Sequence, residues 1–117
     1  MDADLLNTES VTKAIAGSTY VVHTASPFFF PENDEDVIKP AVDGTMAVLH
    51  ACSASGGVKR CVITSSIAAV VCPAKADAPD QATGCFDETI WSNPDRPEGL
   101  GGYPKSKTLA EKAAWDY

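Results

Sequence analysis

The stretches TYVVHT, at residues 19–24, and RCVIT, at residues 60–64, decide the fold of this chain. Both have the composition and the length of β-strands, and the continuously apolar centre of the second is typical of a parallel strand covered on both faces. Between them, residues 36–55 repeat apolar side chains every three or four positions, which predicts a helix. A strand, a helix and a second strand in this order predict two adjacent parallel strands joined by a right-handed crossover.

Glycines mark the ends of the first two predicted helices, and a proline lies near the start of the second. Residues 8–16 have helical spacing and stop at Gly17, so they predict a short helix. Gly56 and Gly57 end the central helix, whereas Pro40 lies near its start and predicts either a beginning there or a kink.

The C-terminal part of the chain is predicted to be a long loop and a final helix. Residues 73–102 are rich in proline and glycine, and Pro104 can occupy the first turn of a helix that reaches Tyr117. The fold class is therefore α/β with a parallel sheet. Because two interior strands alone are marginally stable, we expect the chain to be cut from the middle of a larger sheet.

Composition narrows the classes of function. The chain has 117 residues, 44% of them apolar and 21% charged, with a formal net charge of −7, so a nucleic-acid partner is not expected. No apolar run is long enough to span a bilayer and the first residues are acidic, so we expect a cytoplasmic protein. Its four cysteines form no Cys-x-x-Cys pair and only two histidines accompany them, so reduced thiols are expected and no metal site.

Tyr103 and Lys107 are spaced to share one face of the last helix. The pKa of a free phenol is about 10, and a nearby ammonium lowers it, which makes Tyr103 a candidate general acid or base. The same spacing would also arise without any catalytic role, if Lys107 were merely exposed beside a tyrosine at the start of the helix.

Small hydroxyl residues follow both predicted strands. Thr24, Ala25 and Ser26 follow the first strand, and Ser65 and Ser66 follow the second. Active sites of open α/β sheets gather at the carboxyl ends of the strands, so these residues are candidates for a site together with the Tyr/Lys pair. Ordinary turn chemistry at the strand ends is the alternative.

Five sequence blocks together resemble a known family. They are ADL at residues 3–5, VHTASP at 22–27, VIKP at 37–40, TSS at 64–66 and YPKSKTLAE at 103–111. Their order and spacing are similar to those of dihydroflavonol 4-reductases and cinnamoyl-CoA reductases, within the extended short-chain dehydrogenases/reductases. The resemblance covers nearly the whole chain but only about the middle third of a typical family member. It implies that residues 1–117 are the middle portion of an NAD(P)-binding domain, a partial Rossmann-type parallel sheet with crossover helices.

The resemblance also implies roles for individual residues. Tyr103 would protonate a substrate carbonyl oxygen as hydride arrives, Ser66 would hydrogen-bond that oxygen, and Lys107 would hold the nicotinamide ribose and lower the pKa of Tyr103. Asp4 and Leu5 correspond to the pair that meets the adenine, although Asp4 can also be read as an acidic residue before a helix. The remaining cofactor-binding residues would be Thr24, Ala25, Ser26 and Ser65, together with Tyr103 and Lys107.

The chain departs from the family pattern in three respects. It has no Gly-x-x-Gly-x-x-Gly turn for a pyrophosphate, and it lacks the first βαβ unit and the C-terminal substrate domain. NADP is implied by the relatives, with NAD possible. Val71 stands where plant dihydroflavonol reductases have an asparagine that holds the flavonoid, so the expected substrate is a carbonyl of unspecified class: a ketone, an aldehyde or a thioester.

Other readings of the sequence stay open. The chain can belong to a sugar epimerase or hydroxysteroid dehydrogenase relative, it can be a non-catalytic product that associates through its sheet edges, or it can be an unrelated small binding module. The sequence does not specify an oligomeric state. Because the pyrophosphate turn is missing, we expect the isolated chain to be inactive.

Overall fold

The computed structural model describes residues 2–29, 31–71, 85–95 and 100–117. Two strands and four helices follow one another in these ranges. In chain order they are α1 (Thr8–Ile15), β1 (Tyr20–His23), α2 (Glu35–Ser55), β2 (Arg60–Ile63), α3 (Ile67–Val70) and α4 (Gly102–Asp116). The predicted α/β order is thus confirmed, with one short additional helix, α3.

The two strands form a parallel sheet. Tyr20 pairs with Arg60 and His23 with Ile63, and the ladder continues one step further where Thr64 N donates to the His23 carbonyl at 2.9 Å. The prediction of adjacent parallel strands connected through the central helix is confirmed. As a result, the residues that follow β1 and β2 leave the sheet side by side at its carboxyl edge.

Helix α2 runs through Pro40 rather than beginning at it. The helix starts at Glu35, so Pro40 lies inside its second turn, and it ends at Gly56, whose φ of 64° is the left-handed conformation that glycine adopts most easily. The predicted bounds of residues 36–55 differ from the observed ones by a single residue at the start.

Two sets of contacts hold the helices together. Val11 and Ile15 of α1 form one buried cluster with three residues of α2, and Val21 and Cys61 of the sheet pack against it. Helix α4 packs closely on α2 at Gly102, where a Cβ atom would lie only 3.0 Å from Val37 Cγ2. The absence of a side chain at Gly102 therefore lets the helix that carries Tyr103 and Lys107 approach α2.

The described residues cover only one of the two faces of the sheet. Val21, His23, Cys61 and Ile63 face the helices, whereas Tyr20, Val22 and Val62 on the opposite face are 68%, 66% and 51% exposed. The prediction that β2 is covered on both faces is wrong for this chain, because all of the described helices that contact the sheet lie on the same side of it.

The predicted long loop lies partly outside the described residues. Within it, the segment at residues 85–95 has no helix or strand, and its buried Ser92 ties it to α3. Ser92 N donates to the Ala69 carbonyl at 2.9 Å, and Ser92 Oγ donates to the Ala68 carbonyl at 2.8 Å. In the described part of the chain, no helix has both the length and the apolar character needed to cross a membrane.

Candidate functional site

A small pocket opens at the carboxyl edge of the sheet, where three segments meet. The segment after β1 contributes Ala25 and Ser26, the segment after β2 contributes Thr64 and Ser65, and α4 contributes Lys107. The other lining residues are His23, Thr45, Ile63, Ala110 and Glu111. The structure thus brings together four of the residues singled out from the sequence, namely Ala25, Ser26, Ser65 and Lys107.

Lys107 is the central polar group of this pocket. Its side chain is almost completely buried, and Nζ donates a hydrogen bond to the Thr64 carbonyl at 3.0 Å. Burial lowers the pKa of Lys107 below its ordinary value, and the negative charge of Glu111 partly opposes that shift. Because an ammonium has three N–H donors, Lys107 keeps two for a bound molecule after its bond to Thr64.

Tyr103 lies one turn before Lys107 on the same helix and is half-buried. Its ring packs edge-to-face on Phe28, with the ring centroids 5.1 Å apart and the planes at 82°. This contact is of the kind that aromatic pairs prefer, and it fixes the ring next to the segment that follows β1. No described residue hydrogen-bonds the Tyr103 hydroxyl, which leaves this group available to a ligand.

Ser66 and Ser65 have different partners. Ser66 caps α3, where its Oγ accepts a hydrogen bond from Ala68 N at 3.2 Å, and its hydroxyl proton remains free to be donated. Since α3 packs against α4, Ser66 lies at the start of the helix beside the one that carries Tyr103. Ser65 Oγ instead donates to Glu111 Oε2.

The other predicted site residues do not line the pocket; they are Ser66, Tyr103, Thr24, Asp4 and Leu5. Thr24 is exposed directly after β1. Asp4 is also exposed, and its Oδ1 accepts from Leu6 N at 2.9 Å, in the turn that precedes α1. Leu5 packs against α2, with its side chain 3.0 Å from where a Cβ of Gly44 would lie. The geometry of Asp4 therefore fits the structural reading of an acidic residue before a helix.

Six of the ten pocket residues had no role predicted from the sequence, and three of these, His23, Thr45 and Glu111, make side-chain contacts with polar groups. His23 is buried at the end of β1, with Nε2 3.4 Å from Thr45 Oγ1, and burial together with the charge of Lys107 lowers its pKa. Glu111 was detectable as a residue one turn beyond Lys107, on the same helix face. No sequence pattern singles out His23 or Thr45.

The chemistry of the pocket fits one end of a nicotinamide dinucleotide. The two unused donors of Lys107, the hydroxyl of Ser26 and the acceptor oxygen of Ser65 are groups that can hydrogen-bond sugar hydroxyls. Among the described residues, no group of three or more His, Cys, Asp or Glu side chains could hold a metal ion. The fold and this site define a Rossmann-type protein of the extended short-chain dehydrogenase/reductase class.

Comparison with known proteins gives the same class. The model of the 3-beta hydroxysteroid dehydrogenase/isomerase family matches residues 1–115, and the chain belongs to this family. An anthocyanidin reductase of Vitis vinifera is 41% identical over 98% of this chain and 35% of its own length. A cinnamoyl-CoA reductase of Medicago truncatula is 41% identical over the same shares of the two chains. The resemblance stated from the sequence, to reductases of this type, is confirmed.

A solved structure extends the likeness to three dimensions. The yeast methylglyoxal/isovaleraldehyde reductase in complex with NADPH is 36% identical, with a TM-score of 0.74 over 97% of this chain and 36% of that chain. The predicted Rossmann-type fold is confirmed by this match. The chain spans about a third of the length of the curated relatives that it matches.

Proposed function

We propose that residues 1–117 form the middle portion of the NAD(P)-binding domain of an NADP-dependent reductase that transfers hydride to a carbonyl group. The observation that carries the proposal is the placement of Lys107. Its buried ammonium donates to the carbonyl of Thr64 at the carboxyl end of the parallel sheet. Lys107 lies one helical turn from Tyr103, and Thr64 immediately precedes Ser65 and Ser66 in the sequence. This is the edge at which open α/β sheets bind their ligands.

In this proposal each of three side chains has one task. The Tyr103 hydroxyl donates a proton to the carbonyl oxygen of the substrate, and Ser66 donates a hydrogen bond to the same oxygen while its own Oγ is held by Ala68 N. Lys107 directs its two unused N–H donors at the ribose next to the nicotinamide. A bound nicotinamide dinucleotide would supply the hydride.

The cofactor assignment combines the pocket with the relatives. Ala25, Ser26 and Ser65 would line the nicotinamide end, Thr24 would lie beside them, and Asp4 and Leu5 would meet the adenine end. NADP is proposed because the similar yeast reductase was solved with NADPH, and NAD remains the alternative cofactor.

The substrate class follows from the relatives more than from the pocket. The matching reductases are named for an anthocyanidin and for a cinnamoyl thioester, and we propose a ketone, aldehyde or thioester carbonyl for this chain. The family name adds a second candidate, a hydroxysteroid. Oxidation of an alcohol is the same hydride transfer in reverse, so the roles of Ser66, Tyr103 and Lys107 serve both candidates.

The isolated chain is proposed to be inactive. The 117 residues contain no glycine turn to bind a pyrophosphate, so nothing would anchor the hydride donor a few ångströms from the carbonyl. Titration of the purified chain with NADPH, followed by fluorescence, should show no saturable micromolar binding. Saturable binding together with carbonyl reduction would contradict this part of the proposal.

A chimeric enzyme tests the role of Lys107. Residues 1–117 would replace the matching segment of the Vitis anthocyanidin reductase, and NADPH affinity and turnover would be measured. Lys107→Met should weaken NADPH binding about tenfold or more, because charge-assisted hydrogen bonds to the cofactor are lost. Lys105→Met, two positions earlier on the same helix, is the matched control and should leave the affinity within twofold. Equal effects of the two substitutions would contradict the assignment.

A further inference from the structure

Glu111 lies where the polar side chains of the pocket meet, one turn beyond Lys107 on α4. Its Oε2 accepts the hydrogen bond from Ser65 Oγ, and its Oε1 lies 3.4 Å from the Trp115 Nε1 donor. Both carboxylate oxygens therefore have donors, and hydrogen bonds to an ionised acceptor are stronger than neutral ones. These contacts hold the carboxylate in place at the wall of the pocket.

The charge of Glu111 acts on Lys107 without direct contact. Lys107 Nζ is bonded to Thr64, and the ion pairs within 4.0 Å in the described ranges join only Lys13 to Glu9 and Lys39 to Asp43. A negative charge nearby favours the protonated form of a buried amine, which burial alone disfavours. Glu111 thus offsets part of the desolvation of Lys107, and both Lys107 donors outside the Thr64 bond stay unused.

We propose that Glu111 is a positioning residue of this site, whose carboxylate accepts from the Ser65 hydroxyl and places a negative charge in the same pocket as the Lys107 ammonium, where that ammonium would meet a ribose. The ribose contact rests on the proposed function, whereas the effect of Glu111 on Lys107 does not. In the absence of Glu111 a larger share of Lys107 would be a neutral amine, which has one fewer donor and no charge to assist its hydrogen bonds.

Glu111→Gln separates the charge from the hydrogen bond. The glutamine side chain keeps an oxygen that can accept from Ser65 Oγ, but it carries no negative charge. Among the residues that line the pocket, His23 on β1 is the titratable group besides Lys107 and Glu111, and at pH 8 it is neutral because its pKa lies below the ordinary value of 6.5. At that pH the substitution therefore changes one charge next to Lys107 and no other.

Trace acetylation of the whole 117-residue chain at pH 8, read by peptide mass spectrometry, measures the neutral amine at each lysine. In Glu111→Gln the labelling of Lys107 relative to Lys105 should rise about threefold to tenfold, since the neutral form becomes more frequent. Glu9→Gln removes an equal charge near Lys13 and is the matched control, with a ratio within twofold of the unsubstituted chain. An unchanged ratio in Glu111→Gln would overturn the proposal.

Glu111→Asp keeps the charge and should restore the ratio to within twofold of the unsubstituted chain. A rise in Glu111→Asp equal to that in Glu111→Gln would overturn the proposal, because shape and not charge would then control Lys107. If Glu111→Gln unfolds the chain, which circular dichroism reveals, Glu111→Ser replaces it as the uncharged variant, with the same expected rise and the same refuting result. No cofactor is present in this experiment, so its outcome is independent of the NADPH measurements on Lys107→Met.

Discussion

Val37 packs against helix α4, which carries Tyr103 and Lys107, and Val37→Ala tests this contact directly. Val37 is completely buried, and it lies against α4 at Gly102. Removing two buried carbon atoms costs about 1.6 kcal/mol of transfer free energy at about 0.8 kcal/mol each. An unrelaxed cavity of about 50 Å³ adds about 1.2 kcal/mol, and the better helix propensity of alanine returns about 0.5 kcal/mol. The expected loss in the free energy of unfolding is therefore about 1 to 2.5 kcal/mol.

Urea unfolding followed by circular dichroism measures this loss. The matched control is Val22→Ala, the same substitution at a position that is 66% exposed on the open face of the sheet. It should change the free energy of unfolding by about 0.5 kcal/mol or less. A loss at Val37 no larger than the loss at Val22 would refute the packing of α4 on α2 described here.

Two further predictions concern buried titratable groups. Burial and the neighbouring Cys61 raise the pKa of the Cys52 thiol to about 11. Iodoacetamide at pH 8 should therefore leave Cys52 unmodified in the folded chain and alkylate it in urea. Equal alkylation rates in the two states would contradict the burial of Cys52. Burial and the charge of Lys107 lower the pKa of His23 in the folded chain, so as the pH falls the unfolded chain binds a proton at His23 before the folded chain does. The free energy of unfolding should therefore decrease below about pH 6.5, by at most about 1.4 kcal/mol per pH unit. Urea midpoints at pH 7.5 and 5.5 should differ less in His23→Asn than in the control His50→Asn, and the same difference in both variants would show that His23 does not cause the effect.

The fold was predictable where local patterns and the global architecture agree. β-branched residues at 20–23 and 60–63, and glycines at the helix ends, specify their elements without any knowledge of the rest of the chain. Helix α3 was not predicted because its four residues are too few to show a period. The open face of the sheet was not predicted either, since an apolar strand has the same sequence whether or not a second layer covers it.

Only those site residues whose positions follow from their own helix or strand could be predicted from the sequence. Tyr103 and Lys107 share a helix face, and Ser65 follows a strand, so their positions followed from the predicted elements. The bond between Ser65 and Glu111 joins residues 46 positions apart, and the contact between His23 and Thr45 joins residues 22 apart. Such pairs depend on how α2 and α4 pack on the sheet, which no local pattern specifies.

The proton-donating role of Tyr103 is the central claim, and the turnover of the chimeric reductase tests it most directly. Tyr103→Phe removes only the hydroxyl and keeps the ring that packs on Phe28. Turnover should fall about a hundredfold or more, the scale of lost general acid catalysis, with NADPH affinity within about twofold. Tyr20→Phe, at a tyrosine exposed on the sheet, is the matched control and should keep the turnover of the unsubstituted chimera. A Tyr103→Phe chimera that reduces its substrate as fast as the control would contradict the assignment of the active site.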